Sequence, residues 1–182
     1  MIKLRWLVIP AAAAAVPAFA QNDGAVDNFF GPQIGVFYPS GSKLRDALGS
    51  QWLSFGAGQV KVDQFTKRKF TWDWNTTSKS NNGSKVFMGS VSYGLVMALG
   101  DRFSSTRPYA AIRVGGSYID YAVNVGLGRE SGKTIGYNTN LEVGMIFNRN
   151  LAVSARYDLF SEKDGLNFNG WTLSAKYGLI RF

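Results

Sequence analysis

The 182-residue chain has neither cysteine nor histidine. The first absence rules out a disulfide framework, so stability does not depend on an oxidising compartment. The second removes the commonest general base and the commonest transition-metal ligand together. Long hydrophobic runs are also missing beyond residue 20; none approaches the ~18–20 apolar residues that a spanning helix needs. No repeat of fixed period and no linker divides the chain. Acid is the scarcer charge, with 12 Asp and Glu against 20 Lys and Arg.

What is present begins with a leader. Lys3 and Arg5 open the chain, residues 6–16 form an apolar centre, and Ala18-Phe19-Ala20 is a small-x-small cleavage site before polar Gln21-Asn22-Asp23-Gly24. This pattern predicts a signal peptide over residues 1–20, cleaved to leave one exported domain over 21–182. The leader carries two of the basic residues and no acidic one, so the mature chain stays net basic. Such a balance attracts anions. For an exported chain it points away from nucleic acid and toward anionic lipid head groups or lipopolysaccharide.

The clearest local signal is a β-hairpin over residues 135–160. Tyr137, Thr139, Leu141, Val143, Met145 and Phe147 take alternate positions, with Asn138, Asn140, Glu142 and Gly144 between them. After residues 148–150 the alternation resumes, with Leu151, Val153, Ala155, Tyr157 and Leu159 against Ser154, Arg156 and Asp158. Period-two patterning on both sides of an Asn-rich break is a hairpin signature. A three-residue connection sets Phe147 opposite Leu151, Glu142 opposite Arg156 and Asn140 opposite Asp158. Opposite charges so placed attract, which makes Glu142 and Arg156 an expected ion pair.

The same reading along the chain predicts strands over 30–39, 52–62, 63–74, 87–99 and 109–121, and a final one from Trp171. A short helix is expected from Ser42, as N-cap, to Leu48, with Gly49 as its stop. The segments 75–84 and 126–134 read as polar loops. Residues 100–107 and 161–167 read as further connections. The strand count is eight if 63–74 forms one and seven otherwise.

Two arrangements suit this pattern: a soluble barrel with an apolar core, or a membrane barrel with its apolar face turned outward. The polar phase decides between them. It consists mainly of Ser, Gly, Ala and Asn, with single charges at Arg113, Glu142, Arg156, Asp158 and Lys176. Small residues with a few pairable charges suit a narrow enclosed interior, and the continuous apolar face then meets lipid. Trp52, Trp72, Trp74 and Trp171 gather toward one end of the strands, and Tyr109, Phe147 and Phe182 toward the other. These seven are expected as two interfacial girdles. Lys67, Arg68 and Lys69, beside Phe70, read as a solvated rim.

A leader, about eight amphipathic strands, long connections on one rim and an aromatic end at Phe182 together resemble the small bacterial outer-membrane barrels of the OmpA, OmpX and OmpW kind. The resemblance implies an all-β fold, an eight-stranded antiparallel up-and-down transmembrane β-barrel in the bacterial outer membrane. It also implies that the insertion machinery reads the C-terminal strand ending at Phe182. Ile180 fits that signal, whereas Gly178, Lys176 and Ser174 are out of phase, so either a bulge lies between Leu179 and Ile180 or the signal is degenerate.

Residues 128–134 carry the letters of a phosphate loop, but Leu127 stands where its first glycine belongs and no helix follows. Enzymatic barrels of similar size act on lipid A through His beside Ser or Asp. This chain has no histidine, so it is expected not to be an enzyme and to need no cofactor or metal. The expected role is structural, envelope-stabilising or loop-mediated binding, with the interior filled by side chains. A narrow channel for small solutes and a soluble lipocalin-like binding barrel are the alternatives. Glu142→Gln is expected to lower the melting temperature far more than Glu130→Gln, because stranding a buried partner costs roughly 3–5 kcal/mol. Equal thermal shifts of the two variants would remove the pairing.

Overall fold

The computed structural model describes residues 29–60, 68–98, 106–147 and 150–181, with residues 68 and 181 described in backbone only. The leader and Phe182 therefore lie outside the described residues. The elements are β1 (Phe29–Pro39), α1 (Ser42–Leu48), β2 (Trp52–Val60), β3 (Arg68–Asn81), β4 (Ser84–Ala98), β5 (Thr106–Val125), β6 (Gly128–Phe147), β7 (Leu151–Phe160), β8 (Gly170–Tyr177) and a short β9 (Ile180–Arg181). From β1 to β8 each strand pairs antiparallel with its neighbours in sequence, and β1 pairs with β2 on one side and with β8 and β9 on the other. The sheet closes on itself. Closure satisfies the ladder without leaving an edge.

β9 is β8 continued past a fault. Gln33 faces Lys176, but Phe30, three residues earlier, faces Ile180, four residues later. One extra residue is thus absorbed at Gly178 and Leu179, where the sequence phase jumps. The barrel has eight staves.

The strand expected over 63–74 exists as β3, although it starts at Arg68 and runs to Asn81. The polar loop expected over 75–84 is instead the end of β3, a two-residue turn and the start of β4. Asn82 and Gly83 both have positive φ, 46° and 77°, as the tight hairpin turn favoured for Asn-Gly requires. Likewise 126–134 is not a loop: Gly126, at φ 58°, turns the chain with Leu127, and β6 begins at Gly128. The misreading has a physical cause. Beyond the barrel wall both faces of a hairpin are wet, so apolar alternation disappears while backbone pairing continues. Pro108 falls within β5 rather than before it. Ser42 is the first helical residue, not the cap; Gly41 holds that position and no side chain caps it. Gly49 ends the helix at φ 86°, its N–H donating to the Arg45 carbonyl.

Outside, alternate residues form an apolar belt. Ile34, Phe55, Tyr93, Val114, Leu141, Val153 and Leu173 are each about half exposed. Inside, three layers follow one another along the strands. At the α1 end, Leu44 and Leu48 join Phe37, Trp52, Met88, Ile119 and Phe168 in an apolar plug. A polar and charged layer comes next, at Thr71, Asp73, Arg113, Asn140, Glu142 and Arg156. A smaller apolar cluster of Phe29, Val60, Val96, Tyr109, Ala111, Ile146 and Ala152 closes the other end.

The seam beside the bulge leaves no room for a side chain at Gly31, where a Cβ would lie 1.7 Å from the Tyr177 carbonyl oxygen. Gly31→Ala must displace backbone at the closing seam. It should lower stability by about 1–3 kcal/mol or more, read as a lower temperature for loss of the compact band in heat-dependent gel mobility. An unchanged transition would contradict this seam geometry.

Candidate functional site

The charges of the middle layer join neighbours along the wall and also meet across the lumen. Register places Glu142 opposite Arg156 and Asn140 opposite Asp158, yet the expected Glu142–Arg156 pair does not form. Glu142 Oε2 is held by Arg113 Nη1 at 2.5 Å, and its Oε1 accepts from the Tyr109 hydroxyl at 2.6 Å. Arg156 instead spans to Asp73 on β3 through Nη1, at 2.8 Å, while its Nε donates to Asp158 at 2.9 Å. Lys176 Nζ reaches the second Asp73 oxygen at 2.9 Å. Glu142 is taken by a diagonal neighbour, since Arg113 stands opposite Asn140 on the adjacent strand. Arg156 reaches across the narrow lumen, where a long inward side chain meets the facing wall as easily as its ladder neighbour.

Asp73 is therefore the hub, and it carries two cations from β7 and β8. Sequence reasoning had passed over it, although the signal was present. Thr71, Asp73, Asn75 and Thr77 form the polar phase between outward Trp72 and Trp74, and all four are buried. The network balances in charge: Arg113, Arg156 and Lys176 against Asp73, Glu142 and Asp158. Neutral partners add to it, although Arg113 Nη2 and Asn140 Oδ1 are left without a hydrogen bond among the described residues. Thr172 and Asn138 donate to Asp158, Thr71 accepts from Arg113 Nε, and Asn140 donates to Ser92. The Asn75 amide, oriented with its oxygen toward Arg156, accepts from Nη2 at 2.6 Å and donates to Ser54 and the Phe55 carbonyl. Every carboxylate in this layer is committed to a cation.

The aromatic expectations divide. Trp171 is half exposed on the outer wall, in ring contact with Tyr157. Trp72 and Trp74 also face outward, Trp72 against Phe30, and Phe147 shares the outward phase of Leu141 and Val143. Trp52 and Tyr109 do not belong to an interfacial girdle. Trp52 is fully buried in the plug, its indole N–H donating to the Gly49 carbonyl at 2.7 Å. Tyr109 is buried with its hydroxyl on Glu142. Both stand on inward positions of their strands, so period, not aromatic character, set their side. Phe182 and Lys67 lie outside the described residues.

The plug is tied down from several directions. Arg45 Nη1 donates to the Ser40 carbonyl at 2.6 Å, Lys43 Nζ to the Gly165 carbonyl at 3.2 Å, and the Ser40 N–H to the Asn169 carbonyl at 2.7 Å. The Tyr121 hydroxyl donates to Asp164, joining β5 to the 161–169 segment. Among the described residues no group of three or more His, Cys, Asp or Glu side chains is arranged to hold a metal ion.

No protein-family model matches the chain, and no curated protein matches it in sequence. The fold is shared with known structures. Neisserial surface protein A aligns with a TM-score of 0.55 at 15% identity, over 86% of this chain and 100% of that one. Ail, the attachment invasion locus protein of Yersinia pestis, aligns at 0.53 and 15% identity, over 82% and 95%. The outer membrane enzyme PagL aligns at 0.54 and 15% identity, over 81% and 99%. These are small eight-stranded outer-membrane barrels, and the chain shares their architecture.

Asp73→Asn leaves Arg156 and Lys176 without their common anion in an enclosed layer. It is expected to destabilise by about 3–5 kcal/mol, whereas Asp120→Asn, which loses only an exposed contact to Lys133, should cost under about 1 kcal/mol. Urea unfolding in detergent micelles compares the two; similar midpoints would show that the hub does not bear on stability.

Proposed function

We propose that this chain is an outer-membrane barrel that serves the envelope structurally and through its exposed hairpins, without passing solutes. The observation that carries the reading is the inverted wall: apolar side chains half exposed all round a closed sheet, with balanced charges inside. A soluble barrel would reverse that order, since enclosing ions while exposing aliphatics is favourable only where hydrocarbon replaces water outside. Filling of the lumen by paired charges between two apolar clusters argues against the narrow-channel reading.

Export by the 1–20 leader, insertion through the strand ending at Phe182, and contact with outer-membrane lipid and lipopolysaccharide belong to the same proposal. So does the absence of catalysis. One structural neighbour is an outer membrane enzyme, but here no histidine is available and the enclosed carboxylates are bound to cations.

Two measurements test the proposal. The protein should fractionate with membranes and migrate faster on gels unheated than boiled; a soluble fraction with one mobility would end the membrane reading. In planar bilayers it should be electrically silent, and steady unitary conductance steps would replace the structural role with transport.

A further inference from the structure

The outer wall carries one region that is neither smooth nor purely apolar. It lies on β3 to β6, toward their two tight turns. On the outward face Lys85 stands one row above a row formed by Phe87, Asp120 and Lys133. Gly89 and Tyr118 share the next row down, and Val91 and Gly116 the one after. The two glycines leave the wall indented. A Cβ at Gly89 would meet the Phe87 ring at 3.6 Å, and one at Gly116 would meet nothing nearer than the Gly136 carbonyl oxygen at 4.0 Å. Between Trp74, Phe87 and Tyr118 this makes a slot of about 280 Å³.

The slot does not end in open wall. Phe87 also borders a second hollow with Lys79, Lys85 and Asp120. Lys85 and Asp120 continue into a third, with Arg129 and Lys133. An apolar slot thus runs up into a basic shelf. Asp120, 3.7 Å from Lys133, offsets one of the four cations Lys79, Lys85, Arg129 and Lys133 that border these hollows and leaves the shelf net positive.

We propose that slot and shelf together seat a single net-anionic phosphorylated lipid of the surrounding bilayer. One acyl chain lies over Gly89 and Gly116, and the phosphate sits against Lys85, Arg129 and Lys133. The inference rests on the membrane reading above. Charge complementarity selects the occupant: a neutral lipid would leave the shelf unused, and a soluble anion would leave the slot empty. Basic side chains at a membrane surface bind anionic head groups additively and with salt sensitivity.

The test uses the full barrel in detergent, incubated with lipid A or with zwitterionic phosphatidylethanolamine, and native mass spectrometry to count retained lipid. Wild type should retain lipid A over phosphatidylethanolamine by about tenfold. The combined Lys85→Gln, Arg129→Gln and Lys133→Gln variant should lose that preference. Gly116→Phe, which fills the slot without touching the shelf, should lower lipid A retention while heat-dependent gel mobility stays normal. Equal retention of the two lipids by wild type would overturn the site, as would an undiminished preference in the charge variant. Should Gly116→Phe not fold, the charge variant on the exposed hairpins still decides. A barrel that enters bilayers but shows no preference removes this site alone. One that fails to enter bilayers removes the membrane reading with it.

Discussion

The structure depends on ions being enclosed by a sheet that has no edge. Asp73, Glu142 and Asp158 would be costly in any dry interior by themselves, and so would Arg113, Arg156 and Lys176. Brought together they cancel, and Thr71, Asn138, Thr172 and Tyr109 add hydrogen bonds to them, while Arg113 Nη2 stays without one among the described residues. The Asp73 part of that solution is available only inside a narrow cylinder, where facing walls are within one side chain's reach. An open sheet of the same sequence would hold the same residues on one face with no opposite wall to meet them.

Closure also explains the layering. The polar layer is sealed by an apolar cluster at each end, so the ions are separated from water along the axis as well as across the wall. At one end the seal is made by strand residues alone. At the other it needs an added element: α1 folds in after β1 and supplies Leu44 and Leu48, while the 166–168 segment supplies Leu166 and Phe168. The helix is short and without a side-chain cap, and its packing, more than its propensity, accounts for its presence.

Much of this was legible in the sequence because a period of two is unambiguous over long strands. The 135–160 hairpin, its register and the side on which Glu142, Arg156 and Asp158 lie could all be read from alternation. The fault near Leu179 shows as a phase jump, which left a bulge and a degenerate signal both open. Three things were hidden for physical reasons. Hairpin tips in water lose their alternation, so 75–84 and 126–134 read as loops although Asn82-Gly83 is a strong turn signal. Aromatic residues occur on both faces, so Trp52 and Tyr109 were mistaken for interfacial anchors when their phase pointed inward. Partners across a lumen leave no trace in local pairing, which concealed the Asp73 hub and suggested a Glu142–Arg156 bond in its place.

The reach of Asp73 bears on how such a chain assembles. Its two cationic partners lie 83 and 103 residues further along, on the last strands to be completed. A half-built cylinder would therefore hold a bare Asp73 carboxylate, and would gain nothing from it until the final staves arrive. Partial structures are penalised and the finished one is rewarded abruptly, which favours an all-or-none transition over a gradual zipping of one hairpin after another.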